Sequence, residues 1–327
     1  MTTLRVSVIV PSYEAGELLL EAVASVQAQE GFVLGEDLEM VIADDGSARP
    51  DSARAMAAVA LVAGVRVLHT SGRTGPSAAR NLAARHARGQ WLSFLDADDR
   101  YAPDALALRW ATAQAHVGVG CVVTDYAEFP ADAEFVPAGL PGVIATTPRR
   151  RPAVQAAVDT GQTLVLDRPV ATFLGTVPMW TGSVFVRRDV FQALGGFPEG
   201  HDIGEDLHLW LRIAATQRLA YVPRITAYCR KGHASLTRGE AQLNLKTARC
   251  YEHLARDPIM RPVRSRIAEL IAASYLGAAY DARCAGRTGA SLYAACRALR
   301  WRPHAGAAWR ALLLAPLRPR AREQPAP

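Results

Sequence analysis

Residues 91–99 read WLSFLDADD, an apolar run that ends in the three acids Asp96, Asp98 and Asp99. The run has the composition of a buried strand, whereas carboxylates are costly to bury unless they have partners. Acids delivered together at the carboxyl end of a strand are typical of a site for a divalent cation and a polyol. Holding a nucleotide diphosphate through a metal ion requires that combination of groups.

The composition is that of a folded protein with a large core. Half of the 327 residues are hydrophobic, which suffices for one large domain or two smaller ones and excludes a disordered chain. The formal net charge is +6 and the pI about 9.3, and arginine carries nearly all of the positive charge. The five cysteines include no CxxC pair, so neither a disulfide framework nor a zinc site is expected.

Neither end of the sequence has the pattern of a membrane span or a signal peptide. The first residues, MTTLRVSVIVPSYE, contain one arginine and a short apolar run that ends at Pro11. The late apolar run ALLLAPL, at 311–317, is also too short to span a bilayer. Together with the expectation of reduced thiols, these patterns favour a cytoplasmic protein.

The first hundred residues alternate between strand and helix patterns. Apolar, β-branched runs predict strands and amphipathic spacing predicts helices, in the order strand 6–10, helix 18–29, strand 38–44, helix 53–63, strand 65–70, helix 76–88 and strand 90–96. This order predicts an α/β fold with a doubly wound, mostly parallel sheet and a Rossmann-like nucleotide-binding half. Polar clusters at Ser12–Glu14, Asp44–Ser47 and Asp96–Asp99 follow three of these strands, where such sheets bind ligands.

The remainder of the chain is less regular at first and then helical. Residues 125–172, with several prolines and the basic run Arg149–Arg151, are interpreted as an insertion or a flexible loop over the site. Residues 180–197 predict a strand and a short helix, and 204–215 predict a helix that opens with two acids. From about Glu240 the pattern is helical, broken at Pro262 and Pro303. We therefore expect a catalytic domain over 1–238 and a helical, basic extension over 239–327.

Six stretches, taken in order, resemble glycosyltransferase family 2: VSVIVPSYE, VIADDGS, GPSAARN, FLDADD, GSVFVRRDVFQALGGF and GEDLHLWLR. The resemblance covers roughly residues 4–235. It implies the GT-A fold and an inverting transfer of a sugar from a nucleotide diphosphate, commonly UDP, to an acceptor hydroxyl. It also implies Mn²⁺ or Mg²⁺ as cofactor, a role in bacterial polysaccharide or glycoconjugate synthesis, and a glycan or lipid-linked glycan as acceptor. No nucleic-acid partner is expected.

The resemblance also assigns roles to particular residues. Nucleotide-binding roles fall on Pro11, Tyr13, Asp45, Arg80 and Asp96, metal binding on Asp98 and His233, the general base on Asp206 with Glu205 as a second acid, and the donor or acceptor pocket on Trp180, Thr181 and Gly182. Simpler interpretations stay open for several of them. Asp45 is also suited to an Asx turn, Arg80 to a helix surface, Asp99 to capping the next segment, and Glu205 and Asp206 to a helix dipole.

Two other classes of protein are compatible with parts of the pattern. A nucleotidyltransferase would normally have a basic, glycine-rich loop after the first strand, where this chain has the acidic PSYEAGE. A non-catalytic nucleotide-sugar binding protein would be expected to lack acids at the metal or base positions, which are present here. A nicotinamide-dependent oxidoreductase and a P-loop kinase are disfavoured, because neither GxGxxG after the first strand nor a Walker A motif occurs.

The end of the chain combines apolar anchors with arginines. The anchors are Trp301, Trp309, Leu312, Leu313 and Leu314, and the arginines are Arg302, Arg310, Arg318, Arg320 and Arg322. Such a segment can lie in the interface of an anionic membrane, which would place the protein peripherally at the inner face. The alternative is that the apolar residues pack inside the protein and the arginines are solvated.

Overall fold

The computed structural model describes residues 4–132, 134–146, 152–175, 179–200, 204–232 and 243–317. These residues form two compact units. The first contains the described residues up to Gly200 together with Glu205–Gly232, and the second contains Gly204 and Leu243–Leu317. The domain boundary expected at 238/239 lies outside the described residues and stays a prediction.

The first unit begins with the predicted alternation of strands and helices. Its elements are β1 (Val6–Ser12), α1 (Leu18–Gln27), β2 (Leu38–Asp44), α2 (Pro50–Val59), β3 (Val65–His69), α3 (Pro76–His86) and β4 (Trp91–Phe94). All seven predicted elements are present, with ends that differ by a few residues. β1 pairs in parallel with both β2 and β4, and β3 pairs in parallel with β2. The apolar runs form strands here because helices cover the sheet and shield the side chains of the strands from water.

Residues 125–172 were expected to form an insertion or a flexible loop, and the flexible loop is wrong for most of that range. After β5 (Arg100–Tyr101) and α4 (Ala105–Ala115), the chain forms β6 (Val119–Pro130), α5 (Val143–Thr146), α6 (Pro152–Thr160), β7 (Leu164–Asp167) and α7 (Val170–Phe173). β6 is largely buried inside the sheet. Its pairing partners are distant in sequence, so the local prolines were a poor guide to it. The basic run Arg149–Arg151 lies outside the described residues.

The unit is completed by a short 3₁₀ turn at Thr181–Ser183, β8 (Val184–Arg187), α8 (Arg188–Ala193), α9 (Glu205–Thr216) and β9 (Arg218–Lys231). The main path of the nine-stranded sheet runs β3-β2-β1-β4-β8-β6-β9-β5, with β7 paired to β9. β6 and β9 are parallel, whereas β8, β5 and β7 pair antiparallel with their neighbours. The fold is therefore mixed α/β with a mostly parallel central sheet, as in GT-A proteins.

An aromatic cluster holds α9 against the sheet. The Phe94 ring of β4 lies 5.7 Å from the Trp210 ring of α9, and Phe197 packs edge-on to both at 5.3 and 5.4 Å. Trp210 is completely buried. Such rings combine a large buried area with favourable edge-to-face geometry, so the first turn of α9 has a defined position relative to the end of β4.

The second unit is helical, as predicted. It contains α10 (Leu243–Arg256), a 3₁₀ segment (Pro258–Val263), α11 (Arg264–Cys284), α12 (Thr288–Trp301) and α13 (Gly306–Leu314). Pro262 lies in the 3₁₀ segment and Pro303 between α12 and α13, so both predicted breaks are confirmed. Within the described residues, we find no helix with the length and apolar character that crossing a membrane requires.

Candidate active site

Strands β1, β2 and β4 of the first unit end at one edge of the sheet. The β1–β2 register pairs Ser12 with Asp44, and the backbone N–H of Asp45 donates to the Ser12 carbonyl at 2.8 Å. The backbone N–H of Leu95, just after β4, donates to the Ile9 carbonyl at 3.0 Å. The polar clusters that follow the strands thus meet at the edge where sheets of this kind bind ligands.

Asp45 organises the turn between β3 and α3. Its Oδ1 accepts hydrogen bonds from Thr70 Oγ1 at 3.0 Å and from the N–H and Oγ1 of Thr74 at 2.8 and 2.6 Å, and its Oδ2 accepts one from the N–H of Gly75 at 2.7 Å. Gly75 has a φ of 93°, which a residue with a Cβ adopts only with strain. The partners lie 25 to 30 residues later in the chain, so the carboxylate does not form a local Asx turn.

Pro11 and Tyr13 lie at the end of β1 and just beyond it. Pro11 pairs with Ala43 in the β1–β2 ladder, and Tyr13 is 42% exposed. The guanidinium carbon of Arg73 lies 4.5 Å from the centre of the Tyr13 ring, within the range of a cation–π interaction. Because Arg73 belongs to the turn that Asp45 organises, the tyrosine ring and this turn form one wall at the sheet edge.

Arg80 connects the end of β4 to the start of α9. Its Nη2 donates to Asp96 Oδ1 at 2.7 Å and its Nη1 donates to Glu205 Oε1 at 3.2 Å. Arg80 is only 6% exposed, so it is not the surface arginine that one interpretation of the sequence allowed. Burial lowers its pKa, but the nearby Asp96 and Glu205 carboxylates raise the Arg80 pKa more, and the group is a permanent cation between two acids.

The turn after β4 carries three acids in different settings. Asp96 keeps 31% of its side chain exposed, Asp98 is half-buried, and Asp99 is 3% exposed. Burial, followed by the charges of Asp98 and Asp96, raises the pKa of Asp99 well above its ordinary value. The capping role considered for Asp99 is wrong, because its carboxylate accepts the backbone N–H of Arg230 at 2.8 Å, 131 residues away.

The donor set at this turn fits a cation that takes few protein ligands. In the part of the chain that the structure describes, no group of three or more His, Cys, Asp or Glu side chains could by itself hold a metal ion. Mg²⁺ is usually bound by one or two carboxylates together with substrate phosphates and water, and the half-buried Asp98 carboxylate suits that arrangement. His233, the second predicted ligand, lies outside the described residues.

Glu205 and Asp206 form the first turn of α9. Asp206 Oδ1 accepts the backbone N–H of Leu207 at 2.6 Å. Burial and then the neighbouring Glu205 charge raise the pKa of Asp206 to about 6, while the Arg80 charge opposes that rise. A carboxylate with a pKa near neutrality can accept a proton from a hydroxyl and return it to water, as a general base must.

The half-buried Trp180 and the buried Thr181 and Gly182 form a corner near this acid. The Trp180 ring stacks on Tyr126 of β6 at 4.7 Å with an interplanar angle of 28°. A Cβ on Gly182 would overlap the Trp180 ring, so only glycine permits this packing. Burial raises the pKa of Tyr126, with smaller contributions from several charges that include Asp206, so the stack lies in the same region as the acid.

Two arginines near the site were not predicted from the sequence. Arg109 of α4 is fully buried and donates to Ser93 Oγ, to the Gly182 carbonyl and to Thr226 Oγ1 at 2.7 to 2.8 Å. Arg230, at the end of β9, contacts the 96–99 turn. The one available signal for Arg109 was an arginine inside the apolar helical stretch ALALRWATAQA. Arg230 had no local signal, because the strand that carries it was not predicted.

Comparison with known protein families extends this description. The model of glycosyl transferase family 2 matches residues 7–172, which is about half of the chain. The chain belongs to glycosyltransferase family 2. Membership places it in an enzyme class, the glycosyltransferases, and confirms the family, fold and enzyme class that the six sequence stretches indicated.

Two proteins with similar sequences are named for bacterial polysaccharide biosynthesis. The succinoglycan biosynthesis protein ExoO of Rhizobium meliloti is 36% identical over 101 residues, which are 31% of this glycosyltransferase and 27% of ExoO. The O-antigen biosynthesis protein RfbC of Myxococcus xanthus is 28% identical over 258 residues, which are 77% of this chain and 18% of RfbC. The chain thus spans less than a third of the length of these two relatives.

A solved structure has the same fold. The structure of S. aureus TarS 1–349 in complex with UDP-GlcNAc matches 96% of this glycosyltransferase and 89% of that chain with a TM-score of 0.68. A structure of the same TarS segment with UDP matches with a TM-score of 0.62. The sequence identities of 15% and 14% are low, so the likeness concerns the fold.

Proposed function

We propose that this glycosyltransferase moves a sugar from a UDP donor to an acceptor hydroxyl with inversion at the anomeric carbon, in bacterial polysaccharide or glycoconjugate synthesis. The observation that carries the proposal is the bridge that Arg80 forms between Asp96 and Glu205. It joins acids of the donor side, at the end of β4, to acids of the acceptor side, at the start of α9. An inverting transfer requires both sets of acids in one site.

The uracil base is assigned to the wall formed by Tyr13 and the turn after β3. Asp45 Oδ2 accepts one N–H donor within the protein, and a carboxylate oxygen has a second lone-pair direction for a donor on the base. The Tyr13 ring is exposed enough to stack on a base. The bound UDP of the TarS structures supports the choice of nucleotide.

The diphosphate and its cation are assigned to the turn after β4. Asp98 would hold Mn²⁺ or Mg²⁺, with Asp96 facing the ribose, and the cation would offset the charge on the departing diphosphate. Within the protein, the diphosphate and its cation would be oriented by the three acids of the turn and by the arginines that neutralise these acids. His233 is a further proposed contact of the metal or a phosphate.

Asp206 is assigned as the base in preference to Glu205. Glu205 is already engaged in an ion pair with Arg80 at 3.2 Å, whereas Asp206 has a pKa raised to about 6. In the reaction, Asp206 takes the proton of the acceptor hydroxyl while that oxygen bonds to the anomeric carbon. The bond from this carbon to the phosphate oxygen breaks, and the diphosphate leaves with the electron pair.

The corner of Trp180, Thr181 and Gly182 is proposed to receive the sugar rings. The Trp180–Tyr126 stack presents an aromatic surface near Asp206, and sugar rings pack their apolar C–H faces on such surfaces. The acceptor is proposed to be a glycan or a lipid-linked glycan, in keeping with the polysaccharide pathways of ExoO and RfbC.

A membrane surface is proposed as an additional partner, with a revised set of anchors. Trp309, Leu313 and Leu317 follow one another at intervals of four residues and are 53%, 76% and 58% exposed. Trp301 is no longer among the anchors, because its Nε1 donates to Glu252 inside the helical unit at 2.9 Å. Arg318, Arg320 and Arg322 lie outside the described residues, and their charge enters from the sequence alone.

The proposed function is tested by metal-dependent binding of UDP. UDP with Mn²⁺ should raise the melting temperature of the wild-type protein, and UDP with a chelator should raise it much less, since a ligand stabilises the state it binds. Asp98→Ala should lose the metal-dependent part of the rise in melting temperature and keep any part that UDP causes without metal. Asp132→Ala, an acid from another turn of the same unit, serves as the matched control. Full metal-dependent binding by Asp98→Ala would overturn the metal assignment.

A further inference from the structure

Arg230 contacts the turn that carries the three acids at two points. Its Nε donates to the Asp98 carbonyl at 3.0 Å, and its backbone N–H donates to Asp99 Oδ1 at 2.8 Å. Its side chain is only 7% exposed. The last residues of β9 therefore fix the backbone of the 96–99 turn, although they lie more than 130 residues away in sequence.

The guanidinium of Arg230 is itself held from two sides. Its Nη2 pairs with Glu21 of α1, and its guanidinium carbon lies 4.8 Å from the centre of the Phe129 ring of β6. Phe129 is the register partner of Arg230 in the β6–β9 ladder. Glu21, Arg230 and the Asp98 carbonyl thus form a continuous chain of polar contacts from α1 to the acidic turn.

The acidic turn needs such a support for electrostatic reasons. Three carboxylates within four residues repel one another, and the charges of Asp98 and Asp96 raise the pKa of Asp99. This repulsion favours any backbone change that separates the acids. A cation that also hydrogen-bonds the backbone opposes such a change, whereas a distant cation would only reduce the net charge.

We propose that Arg230 is a positioning residue that, anchored by Glu21, fixes the 96–99 turn so that Asp98 is preorganised for a divalent cation bound with a nucleoside diphosphate. This inference rests on the proposed function, since it concerns the same metal. It assigns to Arg230 no contact with substrate. Its effect would pass through the Asp98 backbone, and outer partners that orient a metal ligand in this way commonly change the affinity for the metal.

The planar fork of arginine is essential to this role. The Nε and Nη2 of one guanidinium point in different directions and reach the Asp98 carbonyl and Glu21 at the same time. Lysine has a single donor nitrogen on a flexible side chain, so it retains the charge but lacks the fixed geometry of the guanidinium. Arg230→Lys therefore separates the positioning effect from the simple neutralisation of nearby acids.

The test compares Arg230→Lys with Arg100→Lys. Arg100 also pairs with Glu21, at 2.5 Å, and its guanidinium carbon lies 4.6 Å from the centre of the Phe135 ring, which makes it the matched control. Mn²⁺ would be titrated into each protein saturated with UDP, and free Mn²⁺ would be followed by electron paramagnetic resonance. We expect Arg230→Lys to bind Mn²⁺ about 10-fold more weakly or worse, as for other outer-partner substitutions, and Arg100→Lys to stay within about twofold of wild type.

A second variant covers the case in which Arg230→Lys does not fold. Glu21→Gln leaves Arg230 in place but weakens its anchor, and it should weaken Mn²⁺ binding less than Arg230→Lys does. Unchanged Mn²⁺ affinity in a folded Arg230→Lys protein overturns the inference, as does unchanged affinity in Glu21→Gln if the lysine variant is unfolded. Failure of the wild-type protein to bind Mn²⁺ with UDP would instead reject the proposed metal site itself.

Discussion

At the scale of single residues, the site is defined by how each acid is neutralised. Asp96 and Glu205 share Arg80, Asp45 is surrounded by N–H and hydroxyl donors, and Asp206 accepts the Leu207 N–H. Burial and then the neighbouring Glu205 charge raise the pKa of Asp206 to about 6. A buried acid with such a pKa is suited to proton transfer near neutral pH, and its charged form is costly to the folded protein.

The activity of the wild-type enzyme should rise with pH through about 6 and then level off, because the base must be ionised to accept a proton. Asp206→Asn keeps the shape but cannot take the proton, and we expect turnover to fall by a factor on the order of 10²–10⁴. Steady-state rates with a nucleotide-sugar donor over pH 5 to 8 measure both effects. Near-normal turnover in the Asn variant would reject this role, and Glu205→Gln would be measured next.

The same substitution should stabilise the protein at neutral pH. The pKa of Asp206 is higher in the folded state than the ordinary value of 3.8, so its contribution to folding is fully present below pH 4 and is lost as pH rises through about 6. Asparagine does not titrate. Asp206→Asn should therefore gain on the order of 1–3 kcal/mol relative to wild type at pH 8, and the gain should shrink towards pH 4. Urea unfolding at both pH values measures it, and a gain independent of pH contradicts the assignment.

At the scale of elements, α3 controls the chemistry of α9 through one side chain. Arg80 lies on α3 and its charge lowers the pKa of Asp206, although burial and Glu205 raise it more. Removing the Arg80 charge should leave the negative charges of Asp96, Glu205 and Asp206 less neutralised. The placement of a buried arginine between two elements thus sets the pH range in which the site works.

Arg80→Met should move the rising limb of the pH–rate profile to higher pH, because the Asp206 pKa increases when the opposing charge is lost. Arg80→Lys keeps the charge and should move the profile less. Removing one partner of a buried ion pair can cost about 3–5 kcal/mol, so circular dichroism must first establish that each variant is folded. A methionine variant that is folded and active with an unshifted profile would falsify the proposed coupling.

The sequence predicted elements whose signal is local and failed for elements whose partners are distant. VSVIV, LEMVIAD and WLSFL are mostly apolar, as buried parallel strands require, and they form β1, β2 and β4. β9 reads RLAYVPRITAYCRK, in which Pro223 and four basic residues conceal a strand that is stabilised by pairing with β6, β5 and β7.

The residues of the site show the same difference between local signals and distant partners. Asp96, Asp98, Glu205 and Asp206 were found because they stand beside apolar patterns at predicted ends of elements. The roles of Arg109 and Arg230 depend on the Gly182 and Asp98 carbonyls, which are backbone atoms far away in the chain. No property of the local sequence specifies such a contact, so the neutralising groups of the site became visible only with the tertiary structure.

At the scale of the whole molecule, the proposed catalytic residues and the candidate membrane anchors belong to different units of the chain. Trp309 and Leu313 lie on α13, and the basic residues that follow in the sequence would add about 1 kcal/mol each near an anionic surface. Attachment through the helical unit would leave the acids of the first unit chemically unchanged. Binding to membranes and catalysis should therefore respond to separate substitutions.

The protein should float with anionic vesicles of phosphatidylcholine and phosphatidylserine at low salt, and less so at high salt because screening weakens the attraction. The double variant Trp309→Glu and Leu313→Glu should remain in the soluble fraction. Leu61→Glu is the matched control, since Leu61 is 89% exposed in the first unit. If wild type and variants all stay soluble, the anchors serve another purpose and the acceptor need not be held at a lipid surface.

The buried Arg109 has a consequence for how this sequence can change over generations. Its hydrogen-bonded partners, Ser93, the Gly182 carbonyl and Thr226, are all neutral, so the fold carries a desolvated charge that methionine or leucine would avoid. Loss of selection for catalysis should therefore remove the selection that keeps this buried charge. Descendants that have lost sugar transfer should be recognisable by an apolar residue here, while lineages under selection for the Trp180–Ser183 corner should keep the guanidinium.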